Sequence, residues 1–479
     1  MRLMLDESLP SLCNPGNRAL HPAKTKLILS MSSLLDQSAL TDLAERLVAA
    51  ARRAGADAAD ALAVRSVSLA IEVREGAVEE SERSEGDDIG LRALVGRRQA
   101  VVSTNDIKTD ATELAERAVA MAKAAPEDPL AGIADREQLA REVADLDLLD
   151  PDLPTVGVLE ERARRAESAA LAVEGVTKSA GASASAGIGG IVLVTSHGFR
   201  GAYLNSGQSI SMTAIAGVGT AMERDYDYCA TVHGSDLDPP EKIGRTAGER
   251  AVERLNPRKV KSTRVPVVFD RRAAGSLIGH LAGAISGAAV ARKSSFLKDR
   301  LGQRLFGPGI RVLDDPRRLR GLRSRPFDAE GIATKPLAVV EDGVLASWLL
   351  DCATARELGL VTTGHAQRAV SSTPAPGPSN LHLAAGSDTP EAVTADIAEG
   401  FYVTDLIGVG VNYVTGDYSR GANGFWIENG KRSYPVSGVT IAGNLLDMFR
   451  ALVPANDLEF RFGTNAPTVR VEGLTVGGR

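Results

Sequence analysis

Between Arg272 and Arg292 the chain carries no formal charge, and glycine recurs at Gly275, Gly279, Gly283 and Gly287. Residues four apart share one face of an α-helix, so the segment predicts a helix with a stripe that has no side chains. Glycine costs a helix interior roughly 1 kcal/mol relative to alanine, about 4 kcal/mol for four positions. Close approach of another backbone would offset that loss, so a buried, close-packed helix is expected. Its only polar side chains are Ser276, His280 and Ser286. Such a helix is either a packing element or the remnant of a site.

At 479 residues the chain is too long for one ordinary core, and two or three domains are expected. A net charge of −6 argues against a general nucleic-acid binder, which needs a basic face. Cys13, Cys229 and Cys352 are far apart and odd in number. They exclude a disulfide framework and a CxxC zinc pattern, and they fit a reducing cytosol, so a cytoplasmic protein is expected. Residues 1–30 lack a continuous apolar core and contain Asn14-Pro15-Gly16-Asn17 and His21-Pro22. They are expected to be a disordered leader, or an extended start ahead of Met31. The stretch 273–290 reaches membrane-span length, but its glycine and alanine content argues against a membrane role.

Apolar periodicity predicts a helix over residues 40–54, stopped by Gly55. Two strands around 61–74 and a hairpin of 89–95 with 99–103 follow. A second helix over 109–123 has Asp110 and Glu113 as a capping pair. After a proline linker at 151–154 come a helix (159–173), strands at 176–186, 190–195 and 208–216, and a helix (241–255). The second half opens with a short buried strand, 265–269, which feeds the glycine ladder. Further strands are expected at 337–340, 344–350, 380–384, 400–404, 424–428 and 467–476. The pattern is α+β: an N-terminal mixed helix/antiparallel-sheet region and a larger C-terminal strand-rich domain with a buried glycine-rich helix. The expected division is 31–130, 131–260 and 261–479, the first two being separate α+β subdomains.

The six histidines are His21, His197, His233, His280, His365 and His382, and none lies within five residues of another. A helix with two zinc-binding histidines one turn apart is therefore absent. Cys352 and His365 could suggest thiol catalysis, but a buried apolar role for Cys352 is the simpler reading. The run Arg317, Arg318, Arg320, Arg323 and Arg325 is flanked by Asp314, Asp315, Asp328 and Glu330, so local pairing is expected. The densest block of chemistry is Thr415-Gly416-Asp417-Tyr418-Ser419-Arg420-Gly421-Ala422-Asn423-Gly424-Phe425-Trp426-Ile427-Glu428-Asn429-Gly430. It reads as a glycine-punctuated turn leading into a strand. Either it is a packed turn, or it forms one wall of a groove where an extended peptide adds along a strand edge. The candidate groove or partner-contact residues are His365, Asp417, Tyr418, Ser419, Arg420 and Trp426. No catalytic residue and no metal ligand is assigned.

That block, with Tyr434-Pro435-Val436 and Ile441-Ala442-Gly443-Asn444-Leu445, resembles the C-terminal region of the TldD/PmbA family, and specifically its PmbA branch, also called TldE. Arg292-Lys293-Ser294-Ser295-Phe296-Leu297, Pro326-Phe327-Asp328-Ala329-Glu330-Gly331, Trp348-Leu349-Leu350 and Gly377-Pro378-Ser379-Asn380-Leu381 support it. So does Gly90-Leu91-Arg92 through Ser103-Thr104-Asn105-Asp106. The resemblance implies a heterodimeric cytoplasmic zinc peptidase acting on small unfolded or modified peptides. In that family the TldD-type subunit carries a histidine-pair helix with an intervening glutamate, and a later cysteine ligand. The glycine-rich helix here occupies the corresponding place without a glutamate or a second histidine, and residues 458–467 hold no cysteine. No ligand carries over, so the resemblance implies a subunit without zinc whose TldD-like partner supplies it. An interaction or regulatory protein that modulates another enzyme is the alternative, and an independent hydrolase using His365, Asp417 or Cys352 a third reading.

Overall fold

One apolar face of the first helix meets a sheet far longer than the sequence pattern suggests. The computed structural model describes residues 36–478, so the expected leader lies outside the described residues. Helix α1 (Ser38–Arg53) buries Leu40, Leu43, Ala44, Leu47 and Ala51, the face that its periodicity predicts. Then come β1 (Ala58–Arg74), β2 (Ala77–Val95), β3 (Arg98–Thr104), α2 (Ala111–Ala124) and α3 (Val156–Leu171). Strands β4 (Val176–Thr195), β5 (Arg200–Ala216) and β6 (Glu223–Thr231) and helix α4 (Pro240–Glu253) complete this half. The Asp110 carboxylate caps α2 by accepting the Thr112 amide.

The six strands make one antiparallel sheet in the order β3-β2-β1-β4-β5-β6. Residues 31–130 and 131–260 are therefore not separate layers. β1 from the first pairs with β4 from the second, from Asp60 opposite Thr195 to Val73 opposite Ala182. The pairs of strands expected within 61–74 and 176–195 are single strands of 17 and 20 residues. Residues 77–88 are also strand, although solvent surrounds nearly every side chain. Their low β-propensity hid them. Glutamates and aspartates along this free edge discourage pairing with another chain.

All four helices lie on one face of the sheet. Helices α1 and α2 cover one end and α3 and α4 the other, giving two alanine-rich cores. Close helix approach built on glycine is found here. A Cβ at Gly244 of α4 would lie 1.9 Å from the Ala166 carbonyl oxygen of α3, and one at Gly248 would lie 2.8 Å from Val173. The opposite face receives the C-terminal half. Leu62, Leu193 and Phe199 pack with Phe327, whose ring meets that of Phe199 edge-on.

The C-terminal half begins with β7 (Thr263–Phe269), α5 (Arg271–Ala284) and α6 (Gly287–Ala291). Short strands β8 (Val312–Asp314), β9 (Leu337–Glu341) and β10 (Val344–Leu345) precede α7 (Cys352–Leu358) and the small hairpin β11 (Ala366–Gln367) and β12 (Ala375–Pro376). After β13 (Leu381–Leu383) and α8 (Pro390–Thr394) come three long strands: β14 (Glu399–Ile407), β15 (Asp417–Glu428) and β16 (Lys431–Asn444). Helix α9 (Leu445–Arg450), β17 (Leu452–Pro454), β18 (Thr464–Asn465) and β19 (Val469–Gly477) end the fold. One sheet runs β10-β9-β8-β13-β18 and the other β16-β15-β14-β7-β19-β17. Because β16 also pairs with β19, strands β16, β15, β14, β7 and β19 close into a ring. Helix α5 packs between the two sheets, touching β14 and β7 on one side and β13 and β18 on the other. The fold is α+β.

The two halves are joined by a buried ion triad. Asp60 of β1 accepts from Arg92 of β2 at 2.8 and 2.5 Å through one oxygen and from Arg368 at 2.5 Å through the other. Burial alone would raise the Asp60 carboxyl, but Arg368 and Arg92 outweigh it and hold it below the usual carboxylate range. The loop after Arg368 then presses onto β2, where a Cβ at Gly90 would lie 1.7 Å from the Val370 carbonyl oxygen.

Asp60→Asn should destabilise the protein by about 3–5 kcal/mol at pH 7, because two buried guanidiniums lose their counter-charge. The stability from Asp60 is present above its unfolded pKa of about 3.9 and lost as pH falls through the lower folded value. Denaturant unfolding of both proteins should therefore show the difference shrinking in acid. Gly244→Ala should cost about 1–3 kcal/mol by forcing α4 off α3. At Gly279, where a Cβ would meet nothing within 4 Å, the same change should raise stability by up to about 1 kcal/mol.

Candidate functional site

Helix α5 starts at Asp270, whose carboxylate accepts the Arg272 amide at 3.0 Å. It buries Ala273, Ala274, Leu277, Ile278, Leu281 and Ala284 in the main core. The four glycines, expected to form one close-packed stripe, do three different things. Gly275 would place a Cβ 3.2 Å from the Thr464 carbonyl oxygen, and Gly283 would place one 2.9 Å from the Tyr413 ring. Gly279 between them is exposed. Gly287 belongs to another element: the helix ends at Ala284 with Ile285 as its cap, Ser286 turns extended, and Gly287 opens α6, where a Cβ would lie 2.6 Å from Thr354 and 2.7 Å from Leu350. The stripe is thus not a buried contact along its length. On α5 it is a shallow trough, floored by backbone at Gly279 and bounded by Thr464 and Tyr413.

Beside the trough stands a compact polar cluster. His280 is 9 % exposed, and its Nδ1 lies 3.2 Å from the Tyr413 hydroxyl. Its ring meets those of Tyr413 and Tyr418 edge-on, with centroids 6.3 and 5.9 Å away. Burial, reinforced by the positive charge of Arg420, pushes the imidazole down to about 4, so it is neutral near pH 7. Tyr418 is buried and its phenol is pushed up to about 12 by burial, with Arg420 pulling the other way. Arg420 donates to the Leu406 carbonyl at 3.5 Å. His280 Nε2, the Tyr418 hydroxyl and Arg420 Nε have no hydrogen-bond partner among the described residues.

The candidates from the sequence separate. Tyr418 and Arg420 join His280, together with Tyr413, which sequence reasoning missed although it sits in a glycine-rich loop five residues before Tyr418. Asp417 is exposed and satisfied locally: Thr415 Oγ1 donates to it at 2.7 Å and Asn444 Nδ2 at 3.2 Å, which hold its carboxyl below the usual range. Ser419 is exposed, and its amide donates to the Gly410 carbonyl at 2.7 Å. Trp426 is not a groove wall, since it lies on the same face of β15 as Tyr418 and Ala422 and is buried with them in the main core. His365 is fully buried in a different network, with Nδ1 2.8 Å from the Thr363 carbonyl and Nε2 3.9 Å from Asp314 of β8.

The block expected to be a turn is strand from Asp417 onward. It offers no edge to an added peptide, because β14 and β16 flank it and the preceding loop bridges Val411 to Tyr418. Cys352 is buried and its thiol pushed far up by burial and by Glu330, which makes it a poor nucleophile. A zinc ion does not fit the cluster. The trough offers one imidazole, two phenols and a repelling guanidinium, and among the described residues no three His, Cys, Asp or Glu side chains come together as a metal site. Residues 458–467 do lie beside α5, with Thr464 against Gly275.

Three domain families match in order: PmbA/TldA metallopeptidase domain 1 over residues 59–122, the central domain over 149–255 and the C-terminal domain over 262–478. The chain is 38% identical to Metalloprotease PmbA of Escherichia coli O157:H7 over 426 residues, 88% of this chain and 93% of that one. It is 37% identical to the Metalloprotease PmbA homolog of Haemophilus influenzae over 432 residues, 89% and 94% of the two chains. The fold matches a crystal structure of a putative modulator of DNA gyrase from Bacteroides thetaiotaomicron with TM-score 0.84 and 26% identity, covering 91% of this chain and 98% of the other. TldE from Thermococcus kodakarensis matches with TM-score 0.81 and 19% identity, over 91% and 100% of the chains. Among the described residues no helix is long and apolar enough to cross a membrane. This chain belongs to the TldD/PmbA metallopeptidase family, in its PmbA branch, also called TldE.

Proposed function

We propose that this chain is the non-catalytic subunit of a two-chain cytoplasmic zinc metallopeptidase and forms one wall of its peptide cavity. The zinc and the activating glutamate come from a TldD-like partner with a histidine pair, and the substrates are small unfolded or modified peptides. One observation carries this reading. The helix that corresponds to the partner's zinc helix presents an open glycine face, and its one ligand-type side chain, His280, is neutral, buried and tied to Tyr413. A zinc peptidase needs a metal-bound water and a base beside it, and His280 supplies neither alone. An open backbone floor suits an extended peptide, whose main chain can approach where no Cβ intrudes. Arg420, half-buried beside the buried His280 and Tyr418, is the group that would meet its terminal carboxylate.

Co-expression with a histidine-pair paralogue tests the subunit role. The purified pair should contain zinc and cleave unfolded peptides, while this chain alone should do neither. Zinc-dependent cleavage by the isolated chain would overturn the proposal, and a pair that assembles without cleaving would favour the modulator reading. Within an active pair, Gly279→Leu should leave this subunit at least as stable to heat but lower kcat/KM at least tenfold by filling the trough. His280→Ala should keep zinc content unchanged and activity within a few fold.

His280 also predicts a pH dependence. Its folded pKa of about 4 lies below the unfolded value of about 6.5, so the unfolded chain takes up the proton first. The contribution to stability is full above pH 6.5, is lost progressively as pH falls from 6.5 to 4, and changes no further below that. Unfolding free energies measured across this window should lose that slope in His280→Leu.

A further inference from the structure

A cavity of about 250 Å³ lies between the N-terminal sheet and the C-terminal half, away from the α5 trough. Its walls include Arg92 of β2, Asp128, Ala288 of α6, Arg292, Glu330 and Asp351. Glu330 is 4 % exposed. One of its oxygens accepts the Cys352 amide at 2.8 Å, and the Cys352 thiol, a weak donor, stands beside it. No ion pair among the described residues includes Glu330. Arg92 is near enough to influence it but is committed to Asp60 and, at 3.4 Å, to Gln99. Of the other carboxylates of the cavity, Glu357 is exposed to solvent and the remaining two are satisfied. Asp128 accepts from the Leu130 amide at 2.9 Å and from Gln99 at 3.1 Å, and Asp351 caps α7 by accepting the Thr354 amide at 2.9 Å.

A buried carboxylate that lines a cavity without a counter-ion is costly, and a positive group entering the cavity would remove that cost. We propose that this cavity binds a small organic cation, an ammonium or guanidinium group held by Glu330 under the negative potential of Asp128 and Asp351. A bare metal ion is disfavoured, because no three acidic or metal-binding side chains converge among the described residues. The site is independent of the peptide trough and of the proposed subunit role.

Ionisation of Glu330 gates the binding. Burial first, then Asp328 of its own turn and Asp351 at the start of α7, push the carboxyl up to about 7, while Arg92 from β2 and the Cys352 amide pull it down. Asp128, Glu357 and Arg292 complete the charged groups of the cavity. About a tenth of the free protein is ionised there at pH 6 and about nine tenths at pH 8. Apparent affinity scales with that competent fraction, so a cation should bind about tenfold more weakly at pH 6 than at pH 8.

Isothermal titration calorimetry of the full chain with methylguanidinium and with L-arginine tests this. Both should bind at pH 8 and weaken about tenfold at pH 6, and acetate should not bind. Glu330→Gln should abolish binding while circular dichroism shows the fold intact, since a neutral amide is cheaper to bury than a charge. Ala288→Phe fills the cavity from another element and should abolish binding with Glu330 untouched. No binding of methylguanidinium at 10 mM (about the weakest affinity the assay reads), equal affinity at the two pH values, or full binding by Ala288→Phe would each overturn the proposal. Should Glu330→Gln not fold, the pH and Ala288→Phe arms decide alone.

Discussion

Asp60 is the hinge of the molecule in an energetic sense. It sits on β1, in the middle of the N-terminal sheet, and neutralises two buried guanidiniums that arrive from different places: Arg92 from the neighbouring strand and Arg368 from the C-terminal half. A buried ion pair adds little over a well-packed apolar contact, but a buried guanidinium without its carboxylate is severely unfavourable. The arrangement therefore enforces one docking geometry more than it adds stability. With Arg368 fixed, the following loop lies on Gly90, Phe327 reaches Phe199 and Leu193, and Glu330 comes to rest beside Arg92. The charged cavity at Glu330 is a by-product of the same docking.

The C-terminal half solves a different problem. Strand β16 would be an exposed edge in an open sheet, and its pairing with β19 removes that edge. Helix α5 can then be held by the ring on one side and by the short five-stranded sheet on the other, with its outward face left free. Glycine on that face is destabilising in isolation, and here it is not repaid by contact at Gly279. Loss of helix propensity without compensating packing is the pattern expected where a surface serves binding instead of stability.

Much of the fold was legible in the sequence. The helical period located α1, α2, α3 and α4 to within a few residues, because each buries a continuous apolar stripe on the sheet. Strands were harder. β4 passes through Gly187, Gly189 and Gly190, which locally signal breaks, and residues 77–88 of β2 have almost no apolar side chains. Both are strand because a partner supplies the hydrogen bonds along the full length, a non-local effect that no window of sequence contains. The site was half legible. Tyr418 and Arg420 stood out as chemistry in a glycine-rich block, but Trp426 shares the face of Tyr418 and is buried there, and spacing along a strand does not say what covers a face. Tyr413 and His280 lie 133 residues apart and meet only in space.

The sequence by itself determined the α+β class, the family motifs, and the absence of a second histidine or a glutamate on the helix of residues 271–284, since composition and local periodicity suffice for these. Tertiary structure alone decided what the glycines of that helix are for. Spacing shows that Gly275, Gly279 and Gly283 share a face, but whether a face is buried depends on what else the chain brings to it. Here the close helix contact went to Gly244 and Gly248, and of the stripe on α5 Gly279 was left open. The ion triad, the ring closure and the Glu330 cavity are likewise properties of residues that meet across the sequence, where charge and hydrogen bonding act over a few ångströms of space and not along the chain.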